Sequence, residues 1–104
     1  INSKKYNYKF YKKIIKKIKD FYIVKEPKNS KINYWLITII FKSKVLKNNF
    51  IRKMSKTGLG SRNIWRPLHT LKIFKNCQSD ILNNSEEIFD KAINLPSSPF
   101  LFKK

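Results

Sequence analysis

With 104 residues and 41% apolar side chains, the chain can build one small core and no second domain, and its longest apolar run, Tyr34 to Phe41, falls far short of the roughly 20 residues a membrane helix needs. The formal net charge of +18 points to phosphate-bearing partners, yet 21 of the 24 basic side chains are lysine and only three are arginine, the residue suited to bidentate phosphate recognition. One cysteine, Cys77, excludes an internal disulfide and a cysteine-built zinc site, and suits a reducing, cytoplasmic setting.

The charge is uneven. Residues 1–31 carry 11 basic and 2 acidic side chains, residues 32–76 carry 10 basic and none acidic, and residues 77–104 carry 3 basic and 4 acidic. Lys, Asn and Ile dominate throughout while Ala and Gly are nearly absent, so AT-rich codon usage accounts for the charge as well as a polyanionic partner does. The lysine-rich N-terminal segment lacks the apolar stretch of a signal peptide. The first residue is Ile1, which fits a piece of a longer chain.

The elements follow in chain order. Tyr8, Tyr11, Ile15, Ile18 and Tyr22 recur every three or four residues, with Lys9, Lys12, Lys13, Lys16 and Lys17 between them, which predicts a helix near residues 5–19. Phe21 to Val24 reads as a short strand, broken by Glu26-Pro27-Lys28-Asn29-Ser30. Tyr34 to Phe41 is β-branched and aromatic with one polar residue, which predicts a strand buried on both faces with Trp35 in the core. Ser43 is placed to cap a helix over residues 45–56, whose apolar positions are Leu46, Phe50, Ile51 and Met54. Gly58 stands where a helix C-terminal glycine belongs. From Ser61 the residues alternate to Arg66, a strand ended by Pro67. Asn84 and Glu87 have capping-box spacing, and Ile88, Phe89, Ala92 and Ile93 form one stripe of a helix over residues 85–93, closed by Pro96. The order predicts an α+β fold, a small and mainly antiparallel sheet packed with helices.

Both glycines fall in Gly58-Leu-Gly-Ser-Arg-Asn-Ile-Trp-Arg-Pro-Leu-His69, a turn expected to deliver Arg62, Trp65, Arg66 and His69 to one place. This segment, Asn33-Tyr-Trp-Leu36, Asn84-Ser-Glu-Glu-Ile88 and Ile93-Asn-Leu-Pro-Ser-Ser98 stand in one order. Together they resemble the C-terminal small domain of the DegT/StrS-type, pyridoxal-phosphate-dependent nucleotide-sugar aminotransferases, in the branch that makes bacillosamine- and legionaminic-type sugars. The resemblance implies the small domain of a fold-type I aminotransferase, a single domain fragment over 1–104, with residues 1–20 as a linking helix and 21–104 as the α+β domain. It implies a homodimeric parent that moves an amino group, usually from glutamate, onto a keto-sugar nucleotide.

In that family the cofactor lysine, the aspartate facing the pyridine nitrogen and the phosphate-binding residues belong to a preceding large domain. None of the 21 lysines matches the cofactor-lysine motif, so no catalytic or cofactor-binding residue is expected in this chain, which should be inactive alone. The turn reads Gly60-Ser-Arg-Asn63 where the family has Gly-Thr-Arg-Pro.

For Arg62 the resemblance implies a cation for the phosphates of a nucleotide-sugar; a surface arginine steadying the turn is the alternative. For His69 it implies a sugar or nucleotide contact, against a partly exposed imidazole with no partner carboxylate. Trp65 reads as a core residue or as a stacking platform for substrate. Glu86 and Glu87 suit a helix N-terminus, and Ser97 and Ser98 lack a base in sequence reach. Asn83-Asn84-Ser85 matches a glycosylation sequon by chance, and no metal site is expected. A small basic nucleic-acid-binding protein, gripping phosphates non-specifically, is the alternative function, and a basic helix over residues 4–19 lying on an anionic membrane is a third, weakened by its tyrosine-rich apolar face.

Overall fold

The computed structural model describes residues 1–102. The elements are α1 (Asn2–Ile15), β1 (Phe21–Ile23), β2 (Ile37–Phe41), α2 (Lys44–Lys56), β3 (Arg62–Asn63), two single 3-10 turns at Leu68–Thr70 and Lys72–Phe74, α3 (Asn83–Lys91) and β4 (Ala92–Leu95). The four strands form one fully antiparallel sheet in the order β1-β2-β4-β3. The expected α+β architecture is therefore the observed one.

β4 corrects the sequence reading. Ala92 and Ile93 are not the last turn of a helix, because α3 stops at Lys91 and the next four residues run between β2 and β3. Ile93 faces Ile39 on one side and Asn63 on the other, and Ala92 and Ile93 are completely buried. Helical spacing with Ile88 and Phe89 disguised a strand too short to show its own alternation. The sheet has room for one strand there, and filling it satisfies the ladders of both neighbours. The capping box does not form either: α3 begins at Asn83 after Leu82, with no side-chain cap.

The core lies where Ile15, Ile23, Ile37, Ile39, Phe41, Ile93 and Leu95 meet, with Tyr8 and Tyr11 from α1 and Leu46, Phe50 and Ile51 from α2 packed against them. Phe21, Phe41 and Phe50 form an aromatic triangle with centroid separations of 4.8, 5.3 and 5.6 Å. α1 starts and ends earlier than its periodicity predicts, so Ile18 is exposed beyond its end and Tyr22 belongs to β1. β2 starts at Ile37, three residues later than expected. Tyr34 takes a φ of 57°, a left-handed conformation that breaks an extended run before it reaches the sheet. Within β2 only Ile37, Ile39 and Phe41 are buried, so the core lies on one face.

Local signals around α2 act as written in the sequence. Ser43 Oγ accepts the Leu46 N–H at 3.3 Å. At the other end Gly58, at φ 74°, donates to Ser55 O at 3.2 Å, and Leu59 donates to Met54 O at 3.2 Å, the paired bonds of a glycine-terminated helix. Lys47, buried in α2, donates to Phe89 O at 3.2 Å near the C-terminus of α3, where a cation meets unsatisfied carbonyls. Burial holds its ammonium below the usual lysine range; Asp90 opposes that shift and Lys44 adds to it.

Tyr11 joins α1 to the end of β4: its hydroxyl donates to Pro96 O at 2.9 Å, and burial pushes the phenol up to about 12 from 10.0. A folded-state pKa above the unfolded value means stability present below pH 10 and lost as pH rises through about 12. Equilibrium unfolding across that window should show a decline that Tyr11→Phe makes shallower. The same substitution should lower stability at neutral pH by about 0.5–1.5 kcal/mol. An identical alkaline slope in both proteins would contradict the burial of the Tyr11 hydroxyl.

Candidate functional site

Strand register brings Thr38, Asn94 and Arg62 into one row across β2, β4 and β3. Directly opposite residues of an antiparallel pair share a face, so Arg62 lies on the face away from Ile37, Ile39 and Phe41. Thr38 Oγ1 donates to Asn94 Oδ1 at 2.8 Å, which settles the two polar side chains in the middle of that row. Arg62 is at the sheet's edge and exposed.

Beside it opens a cleft of about 610 Å³ lined by Lys4, Trp35, Arg62, Trp65, Ser97 and Ser98, among others. Its far wall is the Leu95-Pro-Ser-Ser98 segment, and hydrogen bonds pin that segment at three successive residues. Pro96 O accepts from Tyr11, Ser98 O accepts from Asn7 Nδ2 at 2.8 Å, and Ser97 Oγ donates to Trp35 O at 2.8 Å. Asn7 is fully buried, with Oδ1 left without a hydrogen-bond partner. The two serines therefore build the wall of the cleft.

Trp35 and Trp65 are not in the core. Trp35 is 57% exposed and Trp65 80% exposed, and their rings meet edge to face with centroids 6.5 Å apart. The left-handed turn at Tyr34 is the reason for Trp35. It sends the Tyr34 ring onto Tyr8, with centroids 5.4 Å apart, and turns the next residue out of the sheet. Asn33 Oδ1 accepts the Trp35 N–H at 3.0 Å, so the peptide groups on both sides of Trp35 are held.

His69 is placed differently from Arg62 and Trp65. It lines a separate cleft of about 330 Å³ with Cys77 and Asp80, on the 3-10 turn at Leu68–Thr70. Its Nε2 lies 2.6 Å from Glu86 Oε1 in the first turn of α3. A carboxylate only accepts, so Nε2 carries the hydrogen, and Nδ1 is buried with no hydrogen-bond partner. The partner carboxylate absent from the sequence reading is thus Glu86, seventeen residues on. Arg66 packs over the Phe89 ring at 5.7 Å. Trp35, Lys4 and Ser97 joined the cleft unforeseen; only the paired polar and turn residues around Trp35 hinted at it.

Among the described residues no cluster of His, Cys, Asp and Glu is suited to a metal ion. A pyridoxal phosphate site needs a buried lysine beside an open pocket. Lys47 is the one buried lysine among the described residues, and its Nζ is spent on Phe89 O and sits 5.5 Å from the Phe89 ring centroid. The residues present do not fit that cofactor.

A model of the DegT/DnrJ/EryC1/StrS aminotransferase family matches residues 1–104. Similar solved structures include the aminotransferase TlmJ of Streptoalloteichus hindustanus, at TM-score 0.83 and 12% identity over 93% of this chain and 26% of that one. Helicobacter pylori PseC, an aminotransferase involved in the biosynthesis of pseudoaminic acid, superposes at TM-score 0.79 and 16% identity over 91% and 26%. A sugar aminotransferase from Micromonospora echinospora gives TM-score 0.78 and 14% identity over 92% and 25%. The chain spans about a quarter of the length of these structures. At such identities the likeness is one of fold. No curated protein sequence matches.

Ser97→Ala should test the cleft wall. Removing the hydroxyl leaves Trp35 O without its partner, and thermal unfolding should show a loss of about 0.5–1.5 kcal/mol. Tryptophan emission should also become easier to quench with acrylamide. An unchanged midpoint and unchanged quenching would show that Ser97 does not hold Trp35.

Proposed function

The chain belongs to the DegT/DnrJ/EryC1/StrS aminotransferase family, and from that premise we propose that it is the C-terminal small domain of an aminotransferase acting on a keto-sugar nucleotide. The observation that carries the reading is the cleft. Arg62, Lys4 and two exposed indoles share it, and its wall is the pinned Leu95–Ser98 segment. A guanidinium at the edge of a rigid sheet suits the phosphates of a nucleotide-sugar, since it offers forked donors without moving the backbone.

In this proposal the cofactor is pyridoxal phosphate, held by a separate large domain. Bound there, it would supply an electron sink for amino transfer. This chain's residues bind and orient. Arg62 anchors the charged end of substrate, Trp35 and Trp65 shape the cleft, and the Tyr11, Asn7 and Ser97 bonds keep the wall from yielding. His69 acts at one remove, fastening the Leu68–Thr70 turn to α3 through Glu86. The whole enzyme is proposed to be a cytoplasmic homodimer, and the Asn33-Tyr-Trp-Leu36 segment supports the bacillosamine- and legionaminic-type branch. The chain alone, without the large domain, is proposed to be inactive.

Steady-state kinetics on the enzyme completed by its large domain test the assignment. Arg62→Ala should lower kcat/KM for the nucleotide-sugar roughly tenfold to a hundredfold, as expected for a lost charge-assisted contact of about 1.5–3 kcal/mol, while cofactor affinity stays unchanged. His69→Ala should lower it in the same direction by a smaller factor. Unchanged sugar kinetics in Arg62→Ala would remove Arg62 from the substrate site.

A further inference from the structure

We propose that the free edge of β1 is a docking site for an extended, acidic segment of a partner protein, which pairs with that edge and adds a fifth strand to the four-stranded sheet.

β1 stands at the end of the sheet order, so only one of its sides is paired. Val24 N–H donates to Thr38 O and Lys42 N–H donates to Asp20 O, both at 2.9 Å. Phe21 lies opposite Phe41 and Ile23 opposite Ile39, so the alternation of an antiparallel ladder assigns the bonds to β2 to Asp20, Tyr22 and Val24. The N–H and C=O groups of Phe21 and Ile23 therefore point the other way, toward an edge that no described strand covers. An extended chain laid along it takes up these groups through its own main chain.

The two edges of the sheet are built differently. β3 is two residues long and carries the charge of Arg62, features that discourage a further strand. Phe21-Tyr22-Ile23 has no charge and no proline. A groove of about 720 Å³ opens against it, and Ile15 and Ile23 from the core face share its lining with Tyr22 and Ile40 from the opposite face. Side chains of an added strand alternate between these two faces, so apolar residues at its centre find cover in both directions.

Charge complementarity names the occupant. Lys12, Lys16 and Lys25 also line the groove and no carboxylate does; among the described residues none of these lysines joins an ion pair. Glu26, next to Lys25, is turned to the Ile32 N–H, which it accepts at 2.8 Å. A second copy of the chain would bring the same lysines against these, so like charges oppose pairing of β1 with β1. An acidic strand meets them favourably. Nucleic acid carries the charge but has no peptide ladder to offer the edge.

Amide hydrogen exchange, read by nuclear magnetic resonance on the 104-residue chain, tests the proposal. In the free chain the Phe21 and Ile23 amides should exchange fast while Tyr22 is protected. The probe is the acetylated and amidated peptide Glu-Glu-Val-Thr-Val-Glu-Glu, in enough salt to screen the other surface lysines. At about ten times its Kd it should slow exchange at Phe21 and Ile23 roughly tenfold. The same peptide N-methylated along its Val-Thr-Val centre should give no protection. Lys12→Glu combined with Lys16→Glu should raise Kd roughly fivefold or more, with circular dichroism confirming the fold. No protection by the peptide at millimolar concentration would overturn the proposal. Equal protection by hexaglutamate would overturn it too, by reducing the site to lysine attraction. Protection that grows with protein concentration alone would assign the edge to a second copy instead. Protection without peptide in the enzyme completed by its large domain would assign it to that domain, and the proposal would fall while the reading of the Arg62 cleft stood.

Discussion

Everything about this domain depends on the four residues of β4 lying between β2 and β3. Without them β2 loses its second partner and the two-residue β3 has nothing to pair with. Ile93 and Leu95 are also core residues, so the same segment closes the hydrogen-bond ladder and completes the apolar cluster. Backbone polar groups taken from water must find partners, and β4 supplies them to β2 along all four of its residues and to β3 at Ile93 and Asn94. Arg62 has a defined position because Asn94 sits opposite it.

The effect carries past the end of the strand. As the chain leaves β4, side chains of Tyr11, Asn7 and Ser97 fix three successive residues of the Leu95-Pro-Ser-Ser98 segment. Two of these come from α1, so the first helix and the last strand, far apart in sequence, define the cleft wall together. The Asn7 bond is made by a completely buried amide, which makes its loss costlier than that of a surface contact. A wall fixed at three successive residues resists small displacements.

The sequence was legible wherever a local rule decided the outcome. Ser43 caps α2, Gly58 ends it, and Leu46, Phe50 and Ile51 face the core because short-range hydrogen bonding and helical periodicity leave little alternative. It misled where a distant partner decided. Ala92 and Ile93 fit a helical stripe, yet the gap between β2 and β3 claims them. Trp35 looked like core because its neighbours are apolar, but the left-handed Tyr34 turns it outward, and no local propensity marks a tyrosine for that conformation. The resemblance pointed to the loop that contains Arg62 and Trp65, and tertiary contacts added Trp35, Lys4 and Ser97. His69 found its carboxylate in Glu86, a pairing that seventeen residues of intervening chain conceal.

Much of the surface between Lys72 and Ile88 is exposed, with Ile73 and Ile81 among its apolar side chains. The internal organisation nevertheless stands on β4, and nuclear magnetic resonance reads that strand directly. Cross-strand proton contacts linking Asn94 to both Thr38 and Arg62, with extended backbone shifts from Ala92 to Leu95, are the expected result. Helical shifts continuing through Ile93, with contacts back to Phe89 and Asp90, would contradict the account.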